Sequence, residues 1–142
     1  MTLAELIAGQ PGTDAEVLAW LNESVEVRDE TLVNDRALMA RLTIAECNEV
    51  FATLDTAAQG SKTVQRALAQ LAGDGIDLSH DNARTMIDVL FAGNAALRDK
   101  LKAMGRKTAA RWTQVTGLGW SENMEPKQVD RAIRKIAAAR AV

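Results

Sequence analysis

A chain of 142 residues has the size of one ordinary globular domain and can bury a core without disulfide staples. At 47% hydrophobic and 25% charged residues it is excluded from the disordered class, and scarce aromatics with only two prolines speak against a β-sandwich. The net charge of −2 hides a gradient: residues 1–59 carry 11 acidic and 3 basic side chains, and residues 106–142 carry 3 and 8.

Helical signals then recur along the chain. The apolar segment Thr2–Ala8 ends at Gly9 and the Pro11-Gly12 turn. Thr13 or Asp14 caps a helix through Leu21, with Val17, Leu18 and Leu21 on one face. Residues 23–33 are the least helical stretch, because Val25 and Val27 alternate with charges as in a short extended segment or surface loop. Asn34 caps a short helix to Leu42. Thr43 and Glu46 form a capping box for a helix over Ile44–Ala58, with Ile44, Cys47, Phe51 and Leu54 at buried spacing. Ser61 opens the next helix, striped by Val64, Leu68 and Leu71 and closed by Gly73.

The turn GDGIDLSHD follows, after which Ser79 or Asp81 caps a helix to Ala92 with Met86, Ile87, Leu90 and Phe91 inward. Asn94 caps another, ending near Met104 and Gly105. Thr108 starts a short helix through Val115, and Gly117–Gly119 break the chain. Glu125-Pro126 opens the last helix, since proline suits the first helical position. Val129, Ile133 and Ile136 form its buried stripe, while Lys127, Arg131, Arg134, Lys135 and Arg140 lie largely opposite. The expected fold is all-α, a compact irregular array of about seven or eight short helices joined by tight loops. With no repeat and no long linker, the chain reads as a single helical domain over 1–142, acidic in 1–59 and basic in 106–142.

Catalytic and cofactor motifs are missing from the sequence. There is no Walker A, HExxH, EF-hand loop, GxSxG or GxGxxG after a strand. One cysteine (Cys47) and one histidine (His80) cannot assemble a Cys/His zinc site, and no cofactor is implied. Asp74, Asp77 and Asp81 approach a calcium loop but lack its closing glutamate, so they read as caps and turn carboxylates. His80 has no evident orienting partner, and Cys47 falls on an apolar face where a small core residue belongs. The chain is expected not to be an enzyme. The N-terminus lacks a basic start, and no apolar stretch reaches the roughly 20 residues of a membrane span. Synthesis in a cytoplasm, without membrane insertion, is the expectation.

The surfaces that invite a partner are basic. Arg106, Lys107, Arg111 and Gln114 resemble the start of a short recognition helix, with Trp112 and Trp120 closing the core nearby. The final helix adds Lys127, Arg131, Arg134 and Lys135. Its basic face can be merely solvated, or meet the acidic first third of another copy head-to-tail; membrane-surface binding is disfavoured by its lack of aromatic anchors.

Three strings bear a family likeness: VLAWLNESVEVRDETLV, QLAGDGIDLSHDNARTMIDVL and RWTQVTGLGWSENMEPKQVDRA. Together they resemble a loosely defined group of small helical proteins from the structural-gene region of tailed bacteriophages and prophages. The resemblance implies a non-enzymatic structural or accessory component of the virion or its assembly, tail-associated, multicopy and in contact with other virion proteins. The alternative is a small regulatory DNA-binding protein using residues 106–114 and the last helix.

Overall fold

Side-chain caps set most of the helix starts. Thr2, Thr13, Asn34, Thr43, Ser61, His80 and Asn94 each accept a hydrogen bond from a first-turn N–H. Such a cap contributes about 1 kcal/mol. The Thr43 hydroxyl accepts from Glu46 N at 3.2 Å while the Glu46 carboxylate accepts from Thr43 N at 3.0 Å, the reciprocal box the sequence predicts. The computed structural model describes residues 1–141. Among them it is mostly helical, with eight α-helices and two small two-stranded sheets.

The helices are α1 (Leu3–Ile7), α2 (Asp14–Asn22), α3 (Asp35–Arg41), α4 (Ile44–Ala58), α5 (Lys62–Ala72), α6 (Asp81–Leu90), α7 (Ala95–Ala103) and α8 (Pro126–Arg140). The strands are β1 (Ser24–Arg28), β2 (Leu32–Val33), β3 (Ile76–Asp77) and β4 (Arg106–Ala110). β1 pairs with β4. β2 pairs antiparallel with β3, Val33 opposite Ile76. The extended character expected around Val25 and Val27 is thus β1.

The described chain forms two compact units. One contains Met1–Val27 and the chain from Thr108 onward; the other is Arg28–Lys107. In the first, α8 packs on α1 and α2, and Val17, Leu21, Ala132 and Ile136 are completely buried. Trp112 and Trp120 lie half-buried against this core, edge to face with ring centroids 5.9 Å apart. In the second unit α3, α5 and α6 pack on α4, around a core that includes Leu38, Val50, Leu54, Leu97 and Leu101. Cys47 is buried there, its thiol directed at the Leu38 carbonyl 3.6 Å away.

Three local expectations are corrected. Residues 106–110 form β4 rather than the start of a helix, and the short helix expected through Val115 is confined to a 3₁₀ helix over Arg111–Gln114. The Ala-rich segment has helix propensity, but β1 offers pairing, and beyond the strand Arg111 N donates to Glu23 O at 2.9 Å. Helix α6 is capped by His80 rather than Ser79 or Asp81, because Ser79 is wholly buried and engaged elsewhere. Ile44 is 83% exposed: it sits in the first turn of α4, at the margin of the Cys47–Val50–Leu54–Ala58 stripe.

Two glycines are fixed by close backbone approach. Gly75, at φ 110°, would place a Cβ 2.8 Å from the Val33 carbonyl carbon. A Cβ on Gly105 would run into Leu78 O.

Candidate protein-contact surface

The 100° step of a helix sorts α8 into two faces. Val129, Ala132, Ile133 and Ile136 turn toward the core, with Ala132 and Ile136 at 0% exposure. Lys127, Arg131, Arg134 and Lys135 fall within roughly 100° of arc on the opposite face, and all four are exposed. No carboxylate lies within ion-pair distance of any of them among the described residues. Like charges at i,i+3 and i,i+4 destabilise a helix by about 0.2–0.5 kcal/mol per pair. Lys127, moreover, stands in the first turn, where the helix dipole disfavours a cation. Helix stability alone does not account for this stripe.

Arg140 behaves differently from its neighbours. It reaches back beside the buried face and pairs with Asp14 of α2 at 2.9 Å.

The basic segment that the DNA-binding alternative would use is largely committed internally. Arg106 donates to Ser79 O at 3.4 Å and to Gly105 O at 2.9 Å. Arg111 donates to Trp20 O and, at 3.1 Å, to the Glu23 carboxylate, with its guanidinium 4.1 Å from the centre of the Trp20 ring. Lys107 and Gln114 remain exposed. The residues singled out in the sequence are therefore divided. Arg106 and Lys107 belong to the second unit, Arg111 to the inner structure of the first, and Lys127, Arg131, Arg134 and Lys135 form one outward face.

The remaining polar candidates have structural roles. The Asp77 carboxylate accepts from the Ser79 hydroxyl and, at 2.9 Å, from Ser79 N. The Ser79 hydroxyl bond holds the Asp77 carboxyl below its usual range, helped by the backbone N–H and nearby Arg28, and against the opposing effect of burial. Arg28 donates to the same hydroxyl from Nε at 3.3 Å and Nη2 at 3.2 Å. His80 Nδ1 accepts from Asn82 N at 3.2 Å. Among the described residues no group of three His, Cys, Asp or Glu side chains is placed to hold a metal, and no helix is long and apolar enough to cross a membrane.

No family model, curated protein or solved structure matches this chain.

One feature escaped the sequence reading. In the second unit a cavity of about 340 Å³ opens between α5 and α6. Its only trace in the sequence is alanine at 67 and 83, on helix faces otherwise filled by larger apolar residues.

Proposed function

We propose that this protein is a non-enzymatic binding component that docks an acidic protein surface through the exposed face of α8. The observation carrying this reading is the stripe Lys127–Arg131–Arg134–Lys135, exposed and without ion-pair partners among the described residues. Exposed cations held close together at a cost to their own helix steer and orient an acidic partner. The three strings quoted above support a setting in the virion of a tailed phage, or in its assembly, tail-associated and in several copies. Within the acidic start of the chain Asp14 and Glu23 are taken up by Arg140 and Arg111, so contact between copies would draw on the other carboxylates of residues 1–59.

Mass-spectrometric inventory of purified particles and assembly intermediates tests the reading. The protein is expected in one of these fractions, and Lys127→Glu/Arg131→Glu/Lys135→Glu is expected to remove it while leaving the fold intact. Its absence from every fraction refutes the setting; undiminished incorporation of the variant refutes the docking face.

The second reading, duplex DNA binding, draws on the same cations. It is disfavoured because residues 106–114 form a strand and a 3₁₀ turn, with Arg106 and Arg111 held internally. Four phosphate contacts would give a log–log salt slope of about −3.6. Binding with such a slope, lost in the triple variant, would favour this reading over a protein partner.

A further inference from the structure

We infer that the cleft between α5 and α6 binds a single-chain amphiphile with an anionic head, of the medium-chain carboxylate class. The inference is independent of the α8 reading, since the cleft belongs to the second unit.

The cleft follows from side-chain size. On α5, Ala67 and Leu71 face it, and on α6 Ala83, Met86 and Ile87 do; Leu54 of α4 lies in its lining. Both helices pack on α4, and the two alanines leave the space between them unfilled. Its volume of about 340 Å³ is more than twice the roughly 150 Å³ of an engineered apolar cavity that holds benzene in another protein. That exceeds a packing defect and falls in the size range of small-ligand pockets. At about 30 Å³ per water-sized group it accommodates roughly eleven heavy atoms, the size of octanoate or decanoate. Met86 adds an adaptable wall suited to a flexible chain.

The head group is specified by the rim. Arg66 is the one charged residue lining the cleft, and no acidic side chain lines it. Arg66 is exposed, and no carboxylate or hydrogen-bond acceptor engages its guanidinium among the described residues. The amides of Gln70 and Asn82 flank the same opening. An apolar slot with a free guanidinium at its mouth matches a carboxylate bound by paired N–H···O bonds, with its alkyl chain directed inward.

Titration calorimetry and methyl NMR of the full chain with decanoate, decanol and decyltrimethylammonium, each below its micellar or solubility limit, test the assignment. The expected result is saturable 1:1 binding of decanoate that shifts the Met86 methyl resonance. Decanol should bind about tenfold more weakly for want of the charge-assisted bonds, and the ammonium more weakly still. Arg66→Gln, a surface change that leaves the core untouched, should bring decanoate down to the level of decanol. Absence of saturable decanoate binding up to millimolar concentration overturns the inference. So does equal affinity for the three ligands, which would point to an apolar partner side chain instead. Decanoate affinity unchanged by Arg66→Gln overturns the choice of head group.

Discussion

Replacing Gly105 with alanine puts a methyl group where the backbone of another loop already passes. The added Cβ would run into Leu78 O and lie 2.6 Å from Leu78 C and 2.8 Å from Ser79 N. Leu78 and Ser79 are both buried, and Ser79 is tied to Asp77 and Arg28, so the loop has little room to retreat. On the other side, Gly105 O accepts from Asp29 N at 2.9 Å. Overpacking of a fixed site costs about 1–3 kcal/mol, and losing a neutral backbone hydrogen bond costs about 0.5–1.5 kcal/mol. The expected destabilisation is therefore about 3 kcal/mol, a fall in Tm on the order of 10 °C. Were the site open, the sign would reverse, since Gly105 does not need positive φ and a tolerated Gly→Ala change stabilises by about 0.4–1 kcal/mol. Gly93 supplies the control: nothing lies within 4 Å of its added Cβ and its φ is not positive. Urea titrations should show a lower midpoint for Gly105→Ala at unchanged slope, and no loss for Gly93→Ala. A Gly105→Ala protein as stable as the parent would refute the close-approach argument.

In the first unit, Ile136→Ala should cost about 2–5 kcal/mol by leaving a hole at a site of 0% exposure, measurable as a drop in urea midpoint. Arg131→Glu should raise stability by several tenths of a kcal/mol, because it converts two repulsive i,i+4 pairs with Lys127 and Lys135 into attractive ones. The same change should abolish docking, and denaturant melts beside particle-incorporation assays would separate the two effects. The Asp77 carboxyl, held below its ordinary value of 3.8 in the fold, contributes stability that is fully present above that value. This contribution fades as pH falls through the lower folded value. Melts between pH 2 and 7 should thus show a shallower acid loss for Asp77→Asn than for the parent, and an identical profile would contradict the sign. The slope should not vanish, since Asp29 is held low by its bonds from Thr31.

Much of the helical fold is legible in the sequence because capping is local chemistry. Thr13, Asn34, Thr43, Ser61 and Asn94 each stand a few residues from the N–H they satisfy, so short patterns reveal them. What local patterns miss depends on distant partners. Residues 106–110 look helical until β1, some eighty positions earlier, provides their hydrogen bonds. Arg106 and Arg111 look available until backbone carbonyls at Ser79 and Trp20 engage them. The α8 face was legible, being one helix read at its own period, except that Arg140 turns to Asp14. The cleft was not, because no sequence window contains both Ala67 and Ala83 as neighbours across a gap.

The division of the chain has a consequence for the order in which it can fold during synthesis. Arg28–Lys107 is one continuous stretch of chain, so the second unit can complete its core without any residue from Thr108 onward. The first unit cannot. Leu3, Ile7, Val17, Leu18 and Leu21 precede the second unit in the chain, yet they pack with Ala132 and Ile136, which follow it. Until α8 has been made, this apolar surface of α1 and α2 lacks its native partner. A chain cut off before α8 would keep every residue of the second unit and leave a sticky, uncovered N-terminal segment. Holdase binding to residues 1–27 and protease sensitivity should therefore both persist in a released chain truncated before α8, in which residues 28–107 should already be protected.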